Sequence, residues 1–433
     1  MTPSLHTLSL TAAAAAIDER TLTGRALANA QIARVEATDA RIEAWASLDR
    51  AHVYAEADRR DSAALRGCLA GIGIGIKDIV ATRGIRTGMG SPIFTDYVPD
   101  SDATCVERLL NAGGYVFGKT VTTEFAFFHP GKTRNPSNAA HTPGGSSSGS
   151  AAAVAAGHVC GALGTQTNGS IIRPAAYCGV VGFKPTHGAI SYVGVKVFSD
   201  TFDTLGTLTR TTADAARLAS ALAADESIPS EIASLERAPR IGYLPTFPWT
   251  TIDPDVETAL DAAVARLRAH GARVDRVDLP PGLHSTCAIH RTIAFHEAAR
   301  NLGDLQKRDR DRLSRALNAA LDEGRSIDEH VYRDALTRRS QAIEALMQWL
   351  AGYDAVVAPP APGAAPLGIE STGDPACCTL FSLVGFPAIA LPIGHNADGL
   401  PLGIQLAGAR GDDGRLLSVA SWCEERLPFV GVL

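Results

Sequence analysis

One large α/β domain, a central mixed β-sheet covered by helices on both faces, is the fold class that three features of this sequence predict. Short apolar runs broken by Gly, Pro and Ser fill residues 69–209, the pattern of buried strands joined by tight loops. Helical periodicity lies on both sides of that stretch, and no repeat or low-complexity linker divides the chain. With 45% hydrophobic and 20% charged residues over 433 positions, there is enough apolar material for a substantial core. Residues 1–433 therefore read as a single domain with an N-terminal helical cap over about 1–66.

Taken in order, Leu22 to Asp61 carries apolar positions at helical spacing with charges between them, which predicts two packed helices ahead of the first strand. Gly71 to Val80 is an apolar, Gly-spaced run and predicts a buried strand containing a single lysine, Lys77. A helix over Val106 to Asn111 and a strand at Tyr115 to Phe117 follow. Ala151 to Ala156 is strong helix former closed by Gly157, with a short strand after it. Helices return in Thr212 to Ala223, Asp255 to His270 and Phe295 to Leu350, with strands Arg240 to Leu244 and Ala272 to Val277 between them. Within the longest, the alternating charges of Lys307 to Arg312 run on into Leu313 to Leu317 and predict the solvated face of a helix. Three further strands, at Ala355 to Pro360, Ala388 to Pro392 and Leu402 to Ala407, precede a last helix over Leu416 to Leu427.

Charge and cysteine usage narrow the class. Forty Lys and Arg against 46 Asp and Glu give a net charge of −6 without a basic cluster, which argues against nucleic acid as a partner. Eight cysteines without a CxxC pair are expected as reduced thiols of a cytoplasmic protein. The Ala12 to Ala16 run has no basic residue ahead of it and is followed at once by Asp18, Glu19 and Arg20, so neither a signal peptide nor a membrane span is expected there.

The chemistry concentrates in two Ser/Gly loops. Gly144 to Ser150 and Gly164 to Pro174 place Ser146 and Ser170 beside backbone that no bulky side chain covers, 24 residues apart, with one helix and one short strand between. Up a helix and back is a path that returns both loops to one place. Thr167-Asn168-Gly169-Ser170 is ordinary turn chemistry on its own. In this company its consecutive N–H groups can converge on one oxygen, as an oxyanion site requires. Lys77, if pushed out of water, can lose its proton; the ordinary pKa of about 10.4 must fall by the equivalent of about 4 kcal/mol for a neutral amine near pH 7. Otherwise its ammonium reaches solvent or pairs with Asp78. Pro174 disfavours helical geometry at Arg173, which predicts an extended turn there, its guanidinium beside Ser170 and suited to a carboxylate.

Three other motifs carry less. Gly113 to Thr120 fits a phosphate-binding pattern, but its middle residues read as a strand after a helix, the wrong context. Gly145-Ser146-Ser147-Ser148-Gly149 fits G-x-S-x-G, which would make Ser147 the nucleophile of an α/β-hydrolase esterase, yet a Pro-containing loop precedes it where a strand is needed. His296-Glu297 lacks the second His of a zinc site, because position 300 is Arg.

Gly75-Ile76-Lys77-Asp78, Gly118-Lys119-Thr120, Gly144 to Ser150, Gly164 to Pro174 and Cys178 to Thr186 together resemble the amidase signature family of serine hydrolases, over nearly the whole chain. The resemblance implies Lys77 as base, Ser146 as bridging serine after a cis peptide, and Ser170 as nucleophile. It further implies an oxyanion hole from Thr167, Asn168, Gly169 and Ser170, and no metal or organic cofactor. Gln166 stands where the family usually has Asp, Asn168 where it has Gly, and the Arg comes three residues after the nucleophile instead of two. Gln166, the displaced Arg173 and Ser371 to Pro375 are similar to the malonamidase branch, in which that Arg binds the substrate carboxylate. Thr165, Gln166 and Arg173 are accordingly expected at the substrate, a small-molecule amide such as malonamate, with a homodimer as one assembly. The alternatives are the amidase component of a glutamine-dependent amidotransferase, the Ser147 esterase, and a binding protein with a decayed site.

Overall fold

The computed structural model describes residues 4–63, 67–429 and 431. Of the expected cap, residues 1–3 and 64–66 lie outside them. The remainder folds as α1 (Leu10–Asp18), α2 (Gly24–Ile42), a strand β1 (Trp45–Ser47) and α3 (Arg50–Ser62). Side-chain oxygens of Ser9, Thr23 and Asp49 accept from the N–H groups of Ala12, Ala26 and Ala51 and start the three helices. Two helices and no strand were the expectation. β1 escapes a periodicity search because it is three residues long, and its Trp45 ring packs against Phe117 at 5.4 Å.

The next segment alternates strands and helices: β2 (Gly73–Lys77), α4 (Thr104–Asn111), β3 (Tyr115–Thr120), α5 (Ser148–Ala155), β4 (Gly161–Gln166), α6 (Ile172–Cys178), β5 (Val181–Lys184), β6 (Thr204–Thr209) and α7 (Thr212–Leu222). The phosphate-loop pattern at Gly113 to Thr120 thus folds largely as β3, after a helix. In the last part come β7 (Arg240–Tyr243), α8 (Pro254–Ala269), β8 (Arg273–Arg276), α9 (Thr286–Asp309), α10 (Arg315–Ser326), α11 (Glu329–Leu350), β9 (Ala355–Ala358), α12 (Thr379–Val384), β10 (Ala388–His395), β11 (Pro401–Ala407) and α13 (Asp413–Glu424). The predicted helix over Phe295 to Leu350 is three helices. Its charged middle, Arg310–Arg312, is a 3-10 turn, and the Ser314 hydroxyl restarts the chain by accepting from Leu317 N. Gly324 lets α10 fold back on α9, since a Cβ there would lie 1.9 Å from Phe295 O.

All eleven strands join one sheet in the order β1-β3-β2-β4-β6-β5-β10-β11-β9-β7-β8. β3, β2 and β4 run parallel, as do β9, β7 and β8, and antiparallel pairs connect and edge these groups. α5 and α6 pack on one face, while α4, α7 and α13 pack on the other. The molecule is thus a single large α/β domain with a mixed sheet between helical layers. Every residue of α5 is buried, which explains its Ala-rich composition with no polar stripe. Gly149 is required in it, because a Cβ would meet Ala44 O and Val121 N at 2.3 Å.

Register fixes where the chemistry sits. β2 and β4 are parallel neighbours, pairing Gly75 with Ala162 and Ile76 with Leu163. Their C-terminal residues, Lys77 and Thr165–Gln166, therefore emerge side by side at the carboxyl end of the sheet, where open α/β sheets bind ligands.

Candidate active site

Lys77, 0% exposed, ends β2 with its Nζ 2.7 Å from Ser146 Oγ, 2.9 Å from Ser147 Oγ, 2.7 Å from Thr165 Oγ1 and 3.3 Å from Thr165 O. Among the described residues no carboxylate lies within ion-pairing distance of it. Burial drives its pKa well below the ordinary 10.5, opposed by the negative charge of Asp203. The surrounding hydroxyls restrict what the amine does. Ser147 Oγ donates to Thr165 O and accepts from Thr165 N, both at 3.2 Å, so it meets Lys77 as an acceptor. A neutral amine has two N–H bonds and one lone pair. An uncharged Lys77 with its hydrogens on Ser147 Oγ and Thr165 Oγ1 would turn its lone pair to the hydroxyl of Ser146.

Ser146 and Ser147 precede α5 in a loop whose Gly145–Ser146 peptide is cis. Gly144 turns the chain at φ +79°, and a Cβ there would lie 2.9 Å from Pro174 Cα, so the two Ser/Gly loops touch. Ser147 N also donates to Ser170 O at 3.2 Å. Ser146 and Ser170 both border one cavity of about 350 Å³. No hydrogen bond joins their hydroxyls among the described residues.

The turn Thr167–Ser170 is held from all sides. His290 of α9 donates through Nε2 to Thr167 O at 3.0 Å, and its ring stacks on Phe202 at 4.4 Å. A carbonyl only accepts, so Nε2 carries the hydrogen, and burial keeps the ring neutral by lowering its pKa to about 4. Asp203 accepts from the Thr167 hydroxyl at 2.5 Å. From α12, Ser382 Oγ donates to Asn168 O, and Thr379 Oγ1 donates to Asn168 Oδ1 at 2.9 Å. The N–H groups of residues 167–170 meet no protein acceptor among the described residues. That combination, fixed backbone with free donors beside a hydroxyl, is what an oxyanion site needs.

Two residues expected at the substrate, Thr165 and Gln166, do not line the cavity. Thr165 faces Lys77. Gln166, pointing the other way along the strand, accepts with Oε1 from Ile171 N and Ile172 N at 2.8 and 3.0 Å and donates with Nε2 to Ser382 Oγ at 3.0 Å. It thereby satisfies the first orphan N–H groups of α6, the duty of a helix cap. Arg173 does line the cavity, but from inside the first turn of α6 and not from an extended turn. Pro174 lies in the same first turn, the part of a helix that tolerates proline. Arg173 Nη2 donates to Gly145 O at 2.7 Å and Thr372 Oγ1 at 3.1 Å, while Nε and Nη1, buried, have no partner among the described residues.

The cavity walls come from segments that sequence reasoning reached in part. Thr372, Asp374 and Pro375 belong to the Ser371 to Pro375 segment, while Ala126, Phe127, Phe128, Phe198 and Thr379 come from loops and a helix outside the motifs. Phe125 and Ala126 adopt φ of 47° and 60°, turning Phe127 onto Phe198, ring to ring at 5.1 Å. Trp249 and the α9 residues Cys287, His290, Arg291 and Phe295 were missed. A helix contributing side chains every third or fourth residue to a remote cavity reads in sequence like any amphipathic helix. Among the described residues no three His, Cys, Asp or Glu side chains converge as a metal ion would need, and no helix is long and apolar enough to cross a membrane. All eight cysteines are free thiols.

Comparison with known proteins places this geometry. A glutamyl-tRNA(Gln) amidotransferase component from Koribacter versatilis is 32% identical over 98% of this chain and 100% of its own length. A crystal structure described as an amidase superposes with TM-score 0.88 at 32% identity, covering 97% of this chain and all of that one. The corresponding glutamyl-tRNA(Gln) amidotransferase component from Thermotoga maritima superposes with TM-score 0.82 at 28% identity, over 98% and 96% of the two chains. Malonamate and its branch of the family find no support in these similarities. The family profile described as Amidase matches residues 26–417, and the chain belongs to that family, as an amidase-type enzyme acting on carbon–nitrogen bonds.

Proposed function

We propose that the protein releases ammonia from a primary carboxamide through an acyl-Ser170 intermediate. The lone pair of Lys77 takes the proton of Ser146, and Ser146 takes that of Ser170 as its oxygen attacks the amide carbon. The free N–H groups of residues 167–170 receive the oxyanion. Collapse breaks the C–N bond as Ser146 passes a proton to the leaving nitrogen, and water then hydrolyses the ester by the same route. The observation carrying this mechanism is the amine of Lys77, buried among hydroxyls and 2.7 Å from Ser146 Oγ.

For the substrate, the half-paired guanidinium of Arg173 in the cavity supports an amide that also bears a carboxylate. The amidotransferase relatives favour glutamine over malonamate, with the chain acting as the ammonia-releasing component of a larger assembly. Asp374, bordering the same cavity, suits the α-ammonium of such a substrate. The test is ammonia release from glutamine, malonamate and a neutral amide such as butyramide, by wild type and Arg173→Leu. The variant should lose roughly 100-fold in kcat/KM on the two acids and stay within a few-fold on the neutral amide. Equal losses on all three would remove Arg173 from substrate binding. High turnover of free amides by the isolated chain would favour a free-standing amidase over a component of a complex.

A further inference from the structure

Asp203 is a buried carboxylate that the mechanism above leaves unused. It lies in the segment leading into β6, 6% exposed, and three hydrogen bonds hold it, from the Thr167 hydroxyl at 2.5 Å, Phe198 N at 2.7 Å and Ser199 N at 3.1 Å, with Lys77 near enough to feel its charge but not in contact. Phe198 forms a wall of the cavity and Thr167 opens the oxyanion turn, so one carboxylate ties together a wall, the turn and the base. We propose that Asp203 is a positioning residue with two duties: it fixes the oxyanion turn through the Thr167 hydroxyl, and its anion stabilises the ammonium that Lys77 becomes while Ser170 attacks the amide carbon and until the leaving nitrogen takes the proton.

The proposal rests on the Lys77–Ser146–Ser170 reading. Burial raises the pKa of Asp203, on balance to about 6, against the lowering effect of the Thr167, Phe198 and Ser199 donors and of Lys77. The titratable groups facing it are Lys77 from β2 and Tyr192 from the loop before β6, whose phenol burial pushes up. From α9, His290 meets Thr167, and Glu297 accepts from Ser199 Oγ and from Thr201 N and Oγ1, bracing the same loop one layer out. Beyond Glu297, Asp200 is paired with Arg300 at the surface. Lys77 has no carboxylate in contact, so Asp203 answers the new positive charge at a distance. It leaves the neutral amine free to act between turnovers.

The test is the pH profile of kcat/KM for ammonia release in four variants. Asp203→Asn should lower the plateau at least about 10-fold and move the acid limb down by about one pH unit, because without the anion Lys77 gives up its proton more readily. Thr167→Val should lower the plateau with the limb unmoved, and Thr167→Ser should restore it. A wild-type limb in Asp203→Asn, or a wild-type plateau in Thr167→Val, would overturn the proposal. The Thr167 pair carries the test if Asp203→Asn does not fold. Ser170→Ala separates the two levels: if it stays active the triad reading itself fails, whereas an inactive Ser170→Ala beside an unaltered Asp203→Asn sinks this inference alone.

Discussion

Lys77 and Lys119 end neighbouring parallel strands, paired one residue out of step, and both are wholly buried, yet their surroundings are opposite. Lys119 Nζ donates to Val80 O, to Thr82 Oγ1 at 3.1 Å and to Thr87 Oγ1 at 2.9 Å, with the Asp78 carboxylate at 3.8 Å. Burial lowers its pKa to about 8, with Asp78 opposing the fall. Lys77 has hydroxyls and one carbonyl in place of a carboxylate, and burial drives its pKa well below the ordinary value. Asp78 follows Lys77 in sequence but serves the other lysine, since successive side chains of an extended chain point to opposite sides. A buried cation with a counter-ion braces two strands. A buried amine among hydroxyls that can themselves release protons is placed to act as a base.

The contrast breaks most sharply on deletion. Lys77→Ala should cut kcat by about 10³- to 10⁴-fold while leaving the urea midpoint unchanged or higher, because a costly buried amine is removed. Lys119→Met should do the reverse, lowering stability by about 3 kcal/mol as Asp78 is left buried without its partner, with kcat within a few-fold. Adding Asp78→Asn to Lys119→Met should recover much of that loss, read by the same urea titration. If instead Lys119→Met abolishes turnover in a folded protein, the division of labour between the lysines is wrong.

Smaller effects sharpen the picture. Thr165→Val removes one acceptor of Lys77 and should lower kcat roughly 10-fold. The pH dependence of stability separates Lys119 as well. A lysine held at about 8 when folded, against 10.5 when unfolded, contributes stability that is present above pH 10.5 and lost as pH falls through 8. The Tm of wild type relative to Lys119→Met should therefore decline from pH 10.5 to 8 and then level off.

The fold was legible where elements are periodic or strongly apolar, which covers most strands and most helices, while β5 and β6 stayed undivided within the 69–209 stretch. β1 and the breaks around Arg310–Arg312 escaped because a tryptophan contact and a serine cap, not periodicity, decide them. In the site, the two Ser/Gly loops and Lys77 stand out through composition, and the structure brings Lys77 and Ser146 together. The partners that fix the oxyanion turn stayed hidden, since Asp203, His290 and Ser382 reach it from 36, 123 and 214 residues away. Gln166 was expected at the substrate through the malonamidase resemblance, whereas strand alternation sends it to cap α6.

The most direct measurement is the site and rate of phosphonylation by a fluorophosphonate, mapped by peptide mass spectrometry in wild type, Lys77→Ala and Ser147→Ala. Label on Ser170 in wild type and Ser147→Ala, with none forming at a comparable rate in Lys77→Ala, is the predicted result. Label on Ser147, or wild-type labelling of Ser170 without the lysine, would contradict a buried neutral amine as the source of the nucleophile.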